Sequence, residues 1–204
     1  MDFDTFYLNN RFGKEHSVEM AEYITKYAIS PCYAVDLGAG EGRNSVYLAT
    51  LDFRVVAIEP SVVGARKISQ QSKERNLGII VENTDFLSCA NKLKDVGFLV
   101  AFTSLEHMEY NYLLEAVKTI KQILKIGGYV YIVVFTEDDP GFKNETEMVS
   151  ECASHIKHYF RNNELRDLFS DFEILHYSEF MIEDTDHGPI HYHGEAELFA
   201  QKIG

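Results

Sequence analysis

Three carboxylates and a run of glycines carry the first chemical signal. The stretch "VDLGAGEGRN" places Asp36 ahead of Gly38, Gly40 and Gly42 at alternate positions. Glycines let a backbone turn sharply and let a ligand come close to main-chain atoms. A dinucleotide fingerprint reads G-x-G-x-x-G, but position 43 is Arg, and the third glycine falls one residue early. A P-loop would close on Lys-Ser or Lys-Thr, and this run does not. An aspartate here opposes a pyrophosphate and suits a ligand with a positive charge. Glu59 follows roughly 20 residues later, where a carboxylate can accept from both hydroxyls of a ribose. Asp85 can accept from an adenine amino group, with Phe86 over the ring. Each has an ordinary alternative: a plain turn, a solvated strand end, a helix cap. Together, at the ends of three successive strands, they read as a seat for an adenosine with a charged amino-acid tail.

Histidines give the second signal. His187, His191 and His193 cluster late among the eight in the chain. Residues two apart in a strand share a face, so His191 and His193 would project together. Three readings stand side by side. They are a metal pair completed by Asp184 or Asp186, proton acceptors or orienters over a substrate pocket, and ordinary satisfied histidines. The sequence alone assigns no metal. His155 and His158 read as surface residues.

The elements that must position these groups alternate. Short apolar runs in "CYAVDLG", "RVVAIEP", "GIIVENTDF", "VGFLVAFTSL" and "YVYIVVFT" predict five strands. Between them, "GRNSVYLATL", "VVGARKISQQSKER" and "NYLLEAVKTIKQIL" have helical spacing, the last broken by Gly127-Gly128. "HSVEMAEYITKYAI" is a helix ahead of the first strand. The alternation predicts a parallel sheet with helices on both faces. After a short helix at "NNELRDLF", "FEILHYSEFMIED" and "IHYHGEAELFAQK" predict an antiparallel pair joined through Gly188-Pro189.

At 204 residues, with 46% hydrophobic and 25% charged, the chain is expected to be one soluble globular domain spanning 1–204. The segment of about 1–30 is expected to form a helical lid. The net charge of -13 argues against nucleic acid and anionic membranes as partners. No apolar run is long enough to span a bilayer, and "MDFDTFYLNN" lacks signal-peptide character, so a cytoplasmic location is expected. Cys32, Cys89 and Cys152 fit no metal spacing and read as reduced thiols.

These stretches resemble the class I S-adenosylmethionine-dependent methyltransferases. The resemblance rests on "VDLGAGEGRNSVYLA", "VVAIEPS", "ENTDF", "FLVAFTSLEHM" and "LKIGGYVYIVV", where Ile126 replaces the family's usual proline. Within the class, "GEGRNSVYLA", "KEHSVEM", "YFRNNELRDLFSDFEILHYSE" and "AELFAQK" look most like the tellurite-resistance (TehB-like) methyltransferases. The resemblance implies a Rossmann-like, doubly wound α/β sheet of seven strands, mostly parallel with an antiparallel C-terminal hairpin. It implies S-adenosylmethionine as cofactor. Asp36 would meet the methionine amino group, with Gly38, Ala39 and Gly40 under the cofactor. Glu59 and Pro60 would hold the ribose, and Asp85 and Phe86 the adenine. Phe102 and Thr103 would flank the methionine portion, with Arg43 and Asn44 opening the next helix. Arg11 and His16 would lie over the carboxylate or methyl group. His107 would border the methyl group and, with His16, His191 and His193, assist transfer to a small-molecule acceptor. Two alternatives remain: a non-catalytic S-adenosylmethionine sensor or partner subunit, and a tellurite or selenite methyltransferase. Against the second, "DHGPIHYHGEAEL" replaces an Arg-rich stretch of such relatives. A nicotinamide oxidoreductase is disfavoured by the displaced glycine and the antiparallel tail. Oligomeric state is open, a homodimer included.

Overall fold

The computed structural model describes residues 3–9, 15–143, 155–185 and 190–204. Helix α1 spans Phe3–Asn9 and α2 Val18–Lys26. Then come β1 (Tyr33–Leu37), α3 (Arg43–Thr50), β2 (Arg54–Ile58), α4 (Val62–Glu74), β3 (Ile80–Glu82) and α5 (Phe86–Cys89). The chain continues through β4 (Val96–Phe102), α6 (Tyr110–Ile123), β5 (Leu124–Phe135), α7 (Glu164–Leu168), β6 (Glu173–Asp184) and β7 (His191–Gln201). The seven strands form one sheet in the order β3-β2-β1-β4-β5-β7-β6. Strands β1 to β5 pair in parallel, and β7 runs antiparallel to both β5 and β6. The expected doubly wound sheet with its antiparallel end is therefore present.

Alternation along the strands sorts side chains into two cores. Leu99 and Ala101 of β4 join Val130, Ile132 and Val134 of β5 on one face. Leu113, Ala116, Val117 and Ile120, at helical spacing on α6, cover that face. Phe98 and Val100, with Tyr131 and Val133, face the other way onto Met20, Tyr23 and Ile24 of α2. Central strands buried on both faces need continuous apolar runs, as β4 and β5 have. Each fully buried Val, Leu, Ile, Phe or Met among them contributes about 1.5–3 kcal/mol.

One boundary differs from expectation. Gly127-Gly128 do not break α6, which ends at Ile123 and passes directly into β5. Leu124 already pairs with Val96, and a register shift separates that pair from Phe98 with Tyr129. The glycines lie inside this irregular strand start, where Gly127 takes a positive φ. Pairing with β4 thus captures the chain before the glycines can act as a stop. Asp186, His187, the Gly188-Pro189 turn and Cys152 lie outside the described residues. Among the described residues, no helix is long and apolar enough to cross a membrane.

Candidate active site

Strand order reverses at β1, whose neighbours β2 and β4 lead away in opposite directions. A ligand crevice is expected over the carboxyl ends of such strands. A cavity of about 560 Å³ opens there. The loops after β1, β2 and β4 line it, with Phe3 and Tyr7 of α1 and the β6–β7 ends.

The sheet brings the first group of expected residues together. Asp36 is 2% exposed, and its Oδ2 accepts from Ser45 Oγ at 2.6 Å. Burial pushes its carboxyl up to about 6, opposed by the Ser45 hydrogen bonds and the Arg43 charge. Gly38 has φ +69, and a Cβ there would lie 2.4 Å from Ser104 Cβ. Only glycine allows this turn to pack under the loop after β4. Gly40 N donates to Glu59 Oε2 at 2.7 Å and Ser61 N to Oε1 at 2.8 Å. Burial still pushes the Glu59 carboxyl up to about 7, with the charges of Asp36 and Asp4 adding to the rise. Each Glu59 oxygen has a second lone pair to offer. Ala39, Pro60 and Phe86 also line the cavity.

Asp85 does two things. It lines the cavity and also caps α5, accepting from Ser88 N at 3.1 Å. Tyr112 Oη donates to its Oδ1 at 2.5 Å and Ser88 Oγ to its Oδ2 at 2.6 Å. The hydrogen bonds from Ser88 and Tyr112 hold its carboxyl below the usual range.

Thr103 closes β4 with φ +45, a strained conformation for a β-branched residue. Its N–H already donates to Val133 O at 2.9 Å, so a contact with a ligand would come through its carbonyl or side chain. The Arg43 guanidinium lies 4.6 Å from the centroid of the Phe102 ring, and both residues line the cavity. Asn44 lines it too, and its Oδ1 accepts from Ser17 N at 3.0 Å, tying the start of α2 to α3. His16 is not brought to the wall. Its ring stacks on Tyr47 at 3.6 Å, over a shallow depression between α2 and α3. Arg11 lies outside the described residues.

The second group stands at the other end of the cavity. His107 lines it, and its Nδ1 donates to the His155 carbonyl at 3.2 Å. That bond leaves Nε2 unprotonated, and burial keeps the imidazole in its neutral form by lowering its pKa. His193 lines the wall with Asp184 and Glu195, while His191 sits buried behind it. His193 Nδ1 donates to Asp139 Oδ2 at 2.8 Å, and the rings of His193 and Phe135 stack at 4.2 Å. Burial pushes Glu195 up to about 8, and Asp184 and Glu197 add to the rise.

Sequence reasoning missed Asp139, Glu195 and Glu106. Asp139 is 2% exposed and lies past β5, opposite Gly194. A Cβ at 194 would come within 2.5 Å of Asp139 N. A lone glycine inside a strand signals such a close approach, and that signal was available. Glu106 is fully buried, and neither carboxylate oxygen has a hydrogen-bond partner among the described residues. Burial raises its pKa well above the ordinary value, which favours the neutral acid.

Comparison with known proteins adds an independent line. The family model "Tellurite resistance protein TehB" matches residues 4–189. A Haemophilus influenzae protein named "Probable S-adenosyl-L-methionine-dependent methyltransferase TehB" is 29% identical over 157 residues, 76% of this chain and 51% of its own. The chain thus spans about half the length of the curated relatives it matches first. The solved structure of TehB from Haemophilus influenzae superposes with a TM-score of 0.78 at 24% identity, covering 98% of this chain and 67% of that one. The 1,6-didemethyltoxoflavin-N1-methyltransferase of Burkholderia thailandensis, solved with S-adenosylhomocysteine, shares the fold at a TM-score of 0.66 and 16% identity, covering 92% and 78%.

Proposed function

The chain belongs to the TehB family, and from that premise we propose that it transfers a methyl group from S-adenosylmethionine to a small-molecule acceptor. One observation carries the reading. Two buried acids, Asp36 and Glu59, end adjacent strands on one cavity wall, beside a glycine turn with no room for a side chain. Such a wall repels phosphate and suits a cationic tail and a ribose diol. The group therefore fits the residues present.

Bound S-adenosylmethionine supplies an electrophilic methyl group on a sulfonium. The chain supplies position. Asp36 holds the ammonium of the tail, and Glu59 accepts from the ribose hydroxyls. Asp85 and Phe86 take the adenine, and Ala39, Gly40, Pro60, Phe102 and Thr103 complete the lining. The α1 helix acts as a lid that excludes water. Phe3 and Tyr7 face the cavity, while Asp4 accepts from Ser61 Oγ and from Val63 N at the start of α4. Alignment alone can lower a barrier of this kind by about 7–11 kcal/mol. Where the acceptor begins protonated, His107 Nε2 takes the proton, worth about 10²–10⁴-fold in rate. His193 orients the acceptor from the opposite wall. His16 and His191 are not given direct contact.

Titration calorimetry with S-adenosylmethionine and S-adenosylhomocysteine tests the cofactor. One site per chain is expected, and no binding at millimolar cofactor would overturn the reading. A second reading, methylation of tellurite or selenite, is favoured by the description of the matching family. Asp184 on the acceptor wall opposes it, and Arg43 is the only Arg or Lys among the described wall residues. Turnover measured on a panel of amines, thiols, carboxylates and the two oxyanions separates these readings. Binding without turnover on any acceptor would leave a sensor.

A further inference from the structure

The hairpin end of the cavity holds a second constellation. Asp184 and His191 face each other across the β6–β7 ladder, and His193 stands two residues on. One side-chain ligand atom from each of the three lies within 4.8 Å of the other two. His191 Nε2 and His193 Nε2 are 3.1 Å apart, and Asp184 Oδ2 is 3.9 Å from His191 Nε2.

We infer that Asp184, His191 and His193 bind one divalent transition-metal ion of the zinc class on the cavity wall. Geometry carries the inference. Zinc–nitrogen bonds are about 2.0–2.1 Å long, so two nitrogens at this separation subtend about 100° at one ion, close to tetrahedral. Rotation of the half-buried Asp184 side chain closes the remaining gap. Two imidazoles and one carboxylate are a donor set for zinc, iron, cobalt or nickel rather than for magnesium or calcium. The tautomer also fits. His193 Nδ1 donates to the buried Asp139 carboxylate, so its Nε2 carries a lone pair that accepts from His191 Nε2–H; an ion that displaces this one proton would take both nitrogens as ligands. Asp139 is itself fixed, because Gly141 N donates to its Oδ1 at 2.7 Å. A carboxylate behind a ligating histidine is the usual support of such sites. Stacking on Phe135 holds the His193 ring in place. Three protein ligands leave at least one position open, and both Asp184 and His193 border the cavity. The ion would thus offer a fourth position to an oxygen, nitrogen or sulfur of the acceptor.

The inference stands independently of methyl transfer and is read by metal binding alone. Protein stripped with chelator and carrying no affinity tag is titrated with Zn²⁺ by calorimetry and with Co²⁺ by visible absorption. One ion per chain is expected, with d–d bands typical of a four- or five-coordinate site. His191→Ala with His193→Ala should abolish binding, and Asp139→Asn should weaken it about 10–100-fold. Asp184→Ala, at a partly exposed position, guards against a variant that simply fails to fold. It should remove most of the rise in melting temperature that Zn²⁺ gives the parent protein. His16→Ala should leave the metal affinity unchanged. Absence of a 1:1 complex, or equal affinity in the double-histidine variant, overturns the site and leaves an ordinary histidine–histidine hydrogen bond. Binding of S-adenosylmethionine on the same samples keeps that failure distinct from failure of the transfer reading.

Discussion

Replacing Asp36 by Asn should make the empty protein more stable and the cofactor complex weaker. The unfolded chain releases this proton near the ordinary value of 3.8, but burial delays release in the folded chain to about 6. Between those values the folded state holds more protons, so stability falls as pH rises through the window. The difference between 3.8 and about 6, at 1.36 kcal/mol per pH unit, is a cost of about 3 kcal/mol at neutral pH. Asn carries no charge and avoids that cost. It can still accept from Ser45 Oγ, but its amide protons need partners, so a net gain of about 1–2 kcal/mol is expected. The opposite sign is expected for binding. Losing a charge-assisted hydrogen bond to the cofactor ammonium costs about 1.5–3 kcal/mol, roughly 10–150-fold in Kd. Melting curves of both proteins from pH 4 to 8, with calorimetric titration of S-adenosylhomocysteine, read both effects. The parent should lose stability across the window and the variant should lose less. Unchanged Kd in the variant would refute the assignment of Asp36 to the ligand. Parallel pH profiles would refute the burial argument.

Glu59→Gln should weaken cofactor and free adenosine together, because the ribose contact is common to both; loss for only one in parallel titrations would remove Glu59 from that role. Gly38→Ala places a Cβ against Ser104 at a positive φ, so cofactor affinity should fall by tenfold or more, and a Kd within twofold of the parent would contradict the packing. Glu106→Gln should raise the melting temperature at pH 7 relative to the parent. Because its folded pKa is raised above the ordinary 4.5, parent stability should fall as pH rises above that value and the variant should be spared that loss; melting curves from pH 4 upward that run parallel for the two proteins would contradict this.

The sheet was readable because its strands are apolar runs of the right length, and the acids at their ends stand out against those runs. Asp36 and Glu59 needed only a strand and its terminus to be placed. His191 and His193 needed only the two-residue period of a strand. What lay beyond reach depended on side-chain direction or on contacts distant in sequence. His16 precedes α2 in sequence as a lid residue would, yet the adjacent Tyr47 ring captures it. Asp85 is both cap and wall, so the two readings that the sequence opposed are compatible. Asp139 reaches His193 across 54 positions, and Gly194 was its one local trace. Glu106 sits in "TSLEHM", where nothing local distinguishes a buried neutral acid from a charged surface one.

The cavity wall divides between two parts of the fold. Phe3 and Tyr7 of α1 and wall residues 36–112 belong to the parallel half of the sheet and its connections, while Phe135, Asp184, His193 and Glu195 come from β5 and the returning hairpin. The hairpin joins the rest along β5, with Thr136 N donating to Gly194 O near the cavity end. On the proposed reading, exchange of that one contiguous segment changes acceptor preference and leaves the nucleoside seat intact. A graft of the hairpin from another family member, cut within the loop before β6 and rejoined after β7, should carry its substrate range with it.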